Sequence, residues 1–268
     1  MGEPTLPIQE SEVHEMIPAA RRGRIAEILT ARRTVRVSVL SEEFGVSEMT
    51  IRRDLERLES EGLLSRTHGG AIVKQHMAGE PFYVNNVLTH AEEKRRIAAA
   101  AAAMIKSGET VFLSSGTTAA QVLRHLDPQL EARVITHNVG AMAEAEGLRI
   151  ELVLLGGLYR SQSNALEGSL PADLVGSFYA SKMLLGADGM SLEEGLTTPS
   201  IGIAAVERAM LRQTRGDVLI LADSSKIGVV ADVAICPLDR ADVVIVDDGV
   251  DDGVLEELRR LGLRVVVV

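Results

Sequence analysis

One helical stretch carries the residue types that bind nucleic acid. Ser47 is a good N-cap, because its hydroxyl can accept a hydrogen bond from a backbone N–H of the first helical turn. Behind it, Ile51, Leu55 and Leu58 recur at the spacing of one buried helical face. The other faces carry hydrogen-bond donors and cations that suit phosphates and base edges: Thr50, Arg52, Arg53 and Arg57. Arg-rich amphipathic helices also occur as solvated surfaces, so the neighbouring elements must decide.

The elements before this stretch predict a helix-turn-helix. Residues 19–31 have the pattern of a short helix, and Val35 and Val37 that of a brief extended piece. Ser38 would cap a second helix over 39–44, ended by Gly45, with these side chains facing inward: Val39, Leu40 and Phe44. In such a module the helix that starts after Ser47 enters the major groove.

The elements after the helix predict a wing. Gly62 ends the helix, and the next residues indicate a strand, a tight turn and a return strand: 63–66, 67–70 and 71–73. Arg66 and His68 would then reach the DNA backbone beside the groove. For His68, a turn histidine without a ligand is an equally good interpretation.

Charge is divided unevenly along the 268 residues, whose net charge is −10. Residues 19–75 carry a net charge of +3, and the remainder carries −13. A small basic module is therefore joined to a larger acidic one. The acidic part would repel DNA everywhere except where the basic module docks. This charge distribution favours binding at a defined site over non-specific binding along the DNA.

The bulk composition bounds the class of protein. An apolar fraction of 46% with only 3% aromatics and no Trp predicts an aliphatic core. The single cysteine, Cys236, excludes an intramolecular disulfide and suits a reducing cytoplasm. No signal peptide is visible, and no apolar run approaches the ~20 residues that span a bilayer, so we expect a soluble cytoplasmic protein without a membrane partner.

Beyond residue 90 the sequence alternates between short aliphatic runs and helical intervals. The runs predict strands buried on both faces: 110–113, 133–136, 150–154, 182–186, 217–221, 242–246 and 263–267. A long Ala-rich helix over 91–105 precedes them, and helices are predicted between most of them: 118–126, 138–146, 169–177, 201–214 and 252–261. This alternation is typical of an open α/β domain with a mostly parallel sheet.

Ligands of open α/β sheets bind beyond the carboxyl ends of the strands, and polar residues follow several of these strands. The richest loop supplies hydroxyls and backbone N–H groups suited to a phosphate: Ser114, Ser115, Gly116, Thr117 and Thr118. The alternative is that these hydroxyls only cap the next helix. Asn138 and Asp188 could bind sugar hydroxyls, and Lys226 could meet an anion. For Asp188 and Lys226, a mutual or structural ion pair is the alternative.

The DNA-binding half resembles a known family. Leu40 to Glu59, which contains Thr-Ile-Arg-Arg-Asp-Leu, and Gly62 to Ala71, which contains His-Gly-Gly-Ala, closely resemble the DeoR family of bacterial transcriptional regulators. The match covers residues 20–73. The resemblance implies a second, effector domain with the ribose-5-phosphate isomerase fold. Two positions depart from the family pattern, since Ser114 stands where Asp is common and His137 where Asn is usual.

The isomerases of that fold carry an Asp-Gly-Ala-Asp-Glu run. The equivalent run here is Leu185 to Gly189, in which only Asp188 of the three carboxylates is present. Proton transfer needs a positioned acid and base, so this run favours a binding domain over an enzyme.

These observations combine into one prediction of organisation and function. We expect a disordered lead (1–18), a DeoR-type winged helix-turn-helix (19–75), a linker (76–90) and an effector domain (91–268). The predicted function is a sequence-specific transcriptional regulator, a repressor of a carbohydrate operon that a phosphorylated sugar relieves. Its partners would be double-stranded operator DNA and a second copy of the chain, as a homodimer or homotetramer, with no cofactor and no metal. The alternatives are an isomerase-like enzyme with a fused DNA-binding module and a purely architectural DNA protein.

Overall fold

The computed structural model describes residues 17–67, 69–77 and 79–268, with no account of the Ala31 side chain. The chain divides after Val73 into two compact units. The predicted disordered lead lies outside the described residues except for its last two, Ile17 and Pro18, at which the first helix begins.

Unit 1 is a three-helix module with a small antiparallel sheet. Its elements are α1 (Pro18–Arg32), β1 (Thr34–Arg36), α2 (Val37–Phe44), α3 (Glu48–Ser60), β2 (Leu64–Arg66) and β3 (Gly70–Val73). The strands pair in the order β1-β3-β2. Gly45 ends α2 in the left-handed region, with φ of 61°, a conformation that costs glycine little. The predicted winged helix-turn-helix is confirmed.

The core of unit 1 is aliphatic, and one buried ion pair crosses it. Ile25, Leu40 and Ile51 are fully buried, together with the rest of the predicted stripe on α3. Arg21 on α1 donates to the Asp54 carboxylate on α3 over 2.6 Å, with both side chains buried. Because a buried charge without its partner is costly, this pair fixes α1 against α3.

Two details of the predicted second helix are wrong. Ser38 lies inside the first turn of α2, and the residue at the N-cap is Arg36, whose side chain makes no capping bond. The helix therefore begins two residues earlier than predicted, at Val37. Val37 and Leu40 form the buried face of this helix, so Val39 lies off that face and is 44% exposed.

Unit 2 is a larger α/β unit. Its helices are α4 (Tyr83–Leu88), α5 (Ala91–Ala102), α6 (Thr117–Val122), α7 (Ala141–Glu144), α8 (Ser169–Val175), α9 (Ile201–Gln213) and α10 (Asp252–Arg260). Its strands are β4 (Gln75–His76), β5 (Thr110–Leu113), β6 (Arg133–Thr136), β7 (Glu151–Leu154), β8 (Leu158–Arg160), β9 (Ala165–Glu167), β10 (Ala180–Gly186), β11 (Gly189–Ser191), β12 (Gly195–Thr198), β13 (Thr214–Leu221), β14 (Val229–Val230), β15 (Val233–Cys236), β16 (Val243–Val246) and β17 (Arg264–Val267). None of the helices in the described ranges has the length and apolar character that crossing a bilayer requires.

Seven strands of unit 2 form one sheet, in the order β17-β16-β13-β10-β5-β6-β7. Every neighbouring pair in this sheet is parallel. These strands are the seven predicted ones, with ends displaced by at most three residues. The predicted α/β class with a mostly parallel sheet is therefore confirmed.

Burial on both faces holds at the centre of the sheet and not at its edges. Val111, Phe112 and Leu113 of β5 are fully buried. On the edge strands, Glu151 of β7 and Arg264 of β17 are exposed and their neighbours are only half-buried. An edge strand has a neighbouring strand on one side only, and fewer side chains pack on it. A prediction from the aliphatic sequence alone therefore overestimated the burial of β7 and β17.

Small sheets that the sequence did not predict surround the carboxyl ends of the large one. β11, β12 and β15 form a three-stranded antiparallel sheet, and β8 pairs with β9. β4 pairs with β14, so the stretch predicted as a linker contains a strand and the helix α4. Ile235 of β15, the loop between β8 and β9, and α4 contribute residues to the cavity described below.

Candidate functional site

The helix α3 is capped and oriented as its residue types require. The Ser47 hydroxyl accepts from the Thr50 N–H over 3.2 Å, which satisfies a group that the helix itself leaves without a partner. Ile51, Leu55 and Leu58 are 0, 1 and 3% exposed, so that face packs into unit 1. The opposite face is left to solvent.

The cations of this exposed face are mostly held by neighbouring glutamates. Arg52 lies 3.5 Å from Glu48, and Arg57 lies 2.9 Å from Glu61. Arg53 is exposed and makes no ion pair within the described ranges. Exposed ion pairs of this kind contribute at most ~1 kcal/mol, so a DNA phosphate could replace a glutamate at little cost.

The wing places one predicted cation next to α3. Arg66 on β2 donates to Glu56 and to Glu59, each over 2.8 Å. Its guanidinium is therefore beside the exposed face of α3, within the same unit. His68, the other predicted wing residue, lies outside the described residues.

A cavity of about 60 Å³ lies at the carboxyl ends of β5 and β10. A single ordered water needs about 10–15 Å³ on this scale, so the cavity can hold a small ligand. Six of the eight predicted ligand residues line it: Ser115, Gly116, Thr117, Thr118, Asp188 and Lys226. Ser114 and Asn138 do not line it, and both are fully buried.

Ser114 instead joins two strands. Its hydroxyl accepts from the Gly186 N–H over 2.7 Å and donates to the Ser115 carbonyl over 3.1 Å. The hydroxyl thus connects the end of β5 to the end of β10. Where the family commonly has a carboxylate, this chain has a structural hydroxyl.

Asn138 and His137 hold the loop from the neighbouring strand. The Asn138 amide donates to the Gly116 carbonyl over 2.9 Å, and its oxygen accepts from the Gly140 N–H over 3.0 Å. His137 Nε2 accepts from the Ser115 N–H over 3.1 Å, so the proton of the ring is on Nδ1, which lies 3.1 Å from the Leu166 carbonyl. Burial lowers the pKa of His137 to about 4. It is a neutral, structural histidine.

Two lysines bring positive charge to the cavity. Lys94 on α5 is 2% exposed and donates to the carbonyls of Asn86 and Thr89 over 2.6 and 2.7 Å. Its third proton remains for a ligand. Lys226 is half-buried and makes no ion pair in the part of the chain that the structure describes. Its turn is held by Asp247, which accepts from the Ser224 N–H over 2.6 Å.

Three carboxyl groups line the same cavity. Asp188 accepts from the Thr198 hydroxyl over 2.8 Å, and burial raises its pKa against the opposing effect of the Lys226 charge. Within the described residues, no nitrogen–oxygen contact of 4.0 Å or less joins Lys226 to Asp188, although the Lys226 charge acts on the Asp188 carboxyl. Glu207 on α9 is 3% exposed. Glu80 bonds to Arg160, which also lies 3.8 Å from Glu167.

Sequence reasoning missed the contribution of the stretch predicted as a linker. Glu80, Pro81, Tyr83 and Asn86 all line the cavity. The Tyr83 N–H donates to the Gln162 carbonyl over 2.7 Å, which fixes this stretch to the loop between β8 and β9. Lys94 and Glu207 were also missed, because each lies within an ordinary amphipathic helix. No local signal distinguishes them from surface residues.

The isomerase-like run offers little room for further acids. Leu185 is fully buried in the core. A Cβ built on Gly189 would lie 2.6 Å from the Val229 carbonyl oxygen and 2.7 Å from the Thr197 hydroxyl, so no side chain fits there without rearrangement. In the described ranges no three His, Cys, Asp or Glu side chains are grouped as a metal site would require.

Two family descriptions match the chain, one for each unit. The DeoR-like helix-turn-helix domain matches residues 21–76, and the DeoR C terminal sensor domain matches residues 89–248. The chain belongs to the DeoR family. It is therefore a DNA-binding transcriptional regulator with a sensor domain, and the resemblance predicted from residues 20–73 is confirmed.

Relatives support this over nearly the whole length. The chain is 33% identical to an uncharacterized HTH-type transcriptional regulator, YulB, of Bacillus subtilis (strain 168), over 94% of this chain and 98% of the relative. It is 32% identical to a candidate aga operon transcriptional repressor of Escherichia coli O157:H7, over 92% and 93%. These relatives are regulators, which confirms the prediction that the DeoR-family chain is not an enzyme.

Among solved structures, ribose 5-phosphate isomerase A of Methanocaldococcus jannaschii overlaps 52% of this chain and 55% of its own. The identity is 21% and the TM-score 0.39. The α/β fold of unit 2 is assigned from its strand order.

Proposed function

We propose that this DeoR-family regulator represses a carbohydrate operon and that a phosphorylated sugar, bound in the cavity of unit 2, weakens its binding to the operator. The observation that carries the ligand proposal is the grouping, in one cavity, of a hydroxyl-rich loop, two lysines and an acceptor carboxylate. A ligand that is anionic at one end and rich in hydroxyls at the other matches this set of groups.

The anionic end is assigned to the loop and the lysines. Thr117 and Thr118 supply hydroxyl donors, and Gly116 has φ of 106°, which a side chain would strain. Lys226 makes no ion pair in the described ranges and is half-buried beside the cavity, so it can meet an anion there. A phosphate monoester supplies two negative charges and several strong acceptors.

The hydroxyl-bearing end is assigned to Asp188. This carboxylate accepts one bond from Thr198 and retains acceptor capacity for sugar hydroxyls. Glu80 is less available, because Arg160 already binds it. The ligand would thus be held between α6 and β11.

For DNA we propose that Thr50 and Arg53 contact base edges and that four further side chains bind the phosphate backbone: Ser47, Arg52, Arg57 and Arg66. His68 stays a proposed backbone contact on sequence grounds alone. Arg53 is the best candidate for base reading, because it is exposed and makes no ion pair within the described ranges.

We further propose that two or more copies act together. Helix-turn-helix proteins commonly read two half-sites about one DNA turn apart as symmetric dimers. Several large apolar side chains on unit 2 are exposed and would be covered by a second copy: Leu158, Tyr159, Leu170, Leu174 and Ile201. A homodimer or homotetramer in the cytoplasm remains our proposal.

The chain offers a short route from the cavity to the DNA-binding unit. β3 ends at Val73, and β4 begins at Gln75 after a single residue. β4 is paired with β14, which begins three residues after Lys226, and the Gln75 N–H donates to the Gly228 carbonyl over 2.9 Å. A ligand that moves the Lys226 turn would therefore act on β4, the strand that follows β3 after one residue. Such an effect requires different ligand affinities in the two states, typically ~1–3 kcal/mol.

The test is a thermal-shift panel of sugar phosphates and the corresponding free sugars on the full chain. We expect at least one phosphate to raise Tm, and its free sugar not to do so. If no phosphorylated sugar raises Tm, the proposed effector class is wrong. Mobility shifts with promoter fragments should show saturable binding that weakens steeply with salt.

A further inference from the structure

Glu207 occupies an unusual position for a carboxyl group. It lies on α9, is 3% exposed and lines the ligand cavity beside Ser115, which bonds to it. The nearest basic nitrogen is His137 Nε2, 4.0 Å from its Oε1. That nitrogen accepts a hydrogen bond from the Ser115 N–H and therefore carries no proton, so the ring is neutral and supplies no positive charge.

The other titratable groups around Glu207 do not compensate its charge. Asp188, beyond β10, is a like charge, and Cys236 on β15 interacts with Glu207 as a thiol whose own pKa is raised by burial to about 12. Glu167 on β9 is bound by the Ser200 hydroxyl. In the described ranges no lysine or arginine makes an ion pair with Glu207. Burial, and then the Asp188 charge, raise the pKa of Glu207 well above its ordinary range.

An ionised Glu207 would also disfavour the proposed ligand. It would place a negative charge next to Ser115, in the loop to which the effector's phosphate is assigned. A neutral carboxyl has the opposite effect, because its O–H is a hydrogen-bond donor that can point to an anionic oxygen. Glu207 therefore binds the anionic ligand when its carboxyl is protonated and repels it when the carboxyl is ionised.

We propose that Glu207 is a specificity-determining residue of the effector site, which as a neutral acid donates a hydrogen bond to an anionic oxygen of the ligand. This inference rests on the proposed function, since it refines how the same cavity takes an anion. It implies that anion affinity falls as pH rises and Glu207 loses its proton, by up to ~tenfold per pH unit. A ligand carrying an ammonium group would show the opposite trend, because it would favour the ionised carboxyl.

The probe is sulfate, a tetrahedral anion that keeps two negative charges across the range tested. Its effect on the Tm of the full chain is compared with that of chloride at equal ionic strength from pH 5 to 9. Sulfate also stabilises proteins generally, without binding a specific site. The sulfate-induced Tm shift of Lys226→Met, which lacks one lysine of the cavity, therefore serves as the baseline for this general effect. Burial lowers the pKa of Lys94, so deprotonation of Lys94 also makes the sulfate response depend on pH. Glu207→Gln retains Lys94 and therefore retains this contribution.

We expect the sulfate shift above baseline to decline with pH in the wild type and to decline less in Glu207→Gln, whose amide remains a donor. If the sulfate-induced Tm shift depends equally on pH in the two proteins, or is lost in Glu207→Gln, the proposed role of Glu207 is wrong. Either result would still be consistent with an anion site in the cavity. No response above baseline in any protein would overturn the anion site itself, and this inference with it.

A second measurement does not depend on folding of the Glu207 variant. Calorimetry of sulfate binding to Lys94→Met at a series of pH values from 5 to 9, each in two buffers of different ionisation enthalpy, reports the protons taken up on binding. With Lys94 removed, we expect net proton uptake at the pH values where free Glu207 is partly ionised. Proton uptake indistinguishable from zero across the whole series would overturn the proposal.

Discussion

The two units of this regulator use polar residues in opposite ways. On α3 the cations are exposed, held at most by exposed glutamates, and carried by one continuous stretch of sequence. In the cavity, Lys94 and Glu207 are buried and come from helices more than one hundred residues apart. The first arrangement suits a ligand that displaces weak pairs on a surface, as DNA does. The second suits a small ligand, because buried groups discriminate strongly.

The largest expected effect of one substitution on the surface side is that of Arg53→Ala on DNA binding. A lost base contact costs about 1–3 kcal/mol, and a dimer on two half-sites loses it twice. We expect operator affinity, measured by fluorescence anisotropy, to fall by at least tenfold with unchanged Tm.

Arg95→Ala is the matched control, since Arg95 is an exposed arginine of α5 that pairs with Glu92. It should leave the affinity unchanged. Tight operator binding by Arg53→Ala would remove α3 as the base-reading helix.

On the buried side, His137 should make stability sensitive to acid. Its pKa is lowered to about 4 in the folded chain, against 6.5 in the unfolded chain, so unfolding takes up a proton between these values. The contribution of His137 to the free energy of unfolding is fully present above pH 6.5. It is lost as the pH falls from 6.5 to 4, by roughly 3 kcal/mol in total.

Denaturant unfolding of wild type and His137→Asn from pH 7.5 to 4.5 measures this effect. His137→Asn should be less stable at pH 7.5, because the bonds to Ser115 and Leu166 are altered, and should show a shallower pH dependence. Parallel curves would mean that His137 is not the titrating group.

Lys226→Met tests the cavity without touching α3. A hydrogen bond to a charged group contributes about 1.5–3 kcal/mol, so affinity for the active sugar phosphate should fall about tenfold to a hundredfold. Operator affinity without ligand should be retained. A variant that binds the phosphate as tightly as wild type would exclude Lys226 from the site.

The smallest expected effect is that of Ser47→Ala, which removes the cap of α3. Loss of an N-cap costs about 1 kcal/mol, so Tm of unit 1 should fall by several degrees. Ser47→Asp, another good cap, should restore stability while its negative charge weakens DNA binding. If Ser47→Ala is as stable as wild type, the hydroxyl contributes to DNA binding alone.

The same contrast decides what the sequence could predict. Local sequence patterns were sufficient to predict α3, from its N-cap and its buried face. They were also sufficient to predict the seven strands of the large sheet, because buried strands require aliphatic residues. The loop 115–118 was also found, because it directly follows a buried strand. Glu80, Lys94 and Glu207 were not found, since only the folded chain brings them to the loop. The roles of Ser114 and Asn138 as structural connectors likewise depend on bonds to distant backbone groups.

The helix boundary at Val37 shows another limit. A serine at position 38 indicated a cap, but the chain enters α2 directly from β1, and the pairing of β1 with β3 fixes where the strand ends. Tertiary pairing therefore overrode a local capping preference.

The central claim is that a ligand in the cavity of unit 2 controls DNA binding by α3. Operator affinity measured with and without the sugar phosphate that raises Tm, in wild type and in Lys226→Met, tests it most directly. The account predicts that the phosphate weakens operator binding of the wild type by about 5- to 150-fold and leaves Lys226→Met unaffected. Equal operator affinity of the wild type with and without saturating ligand would contradict it.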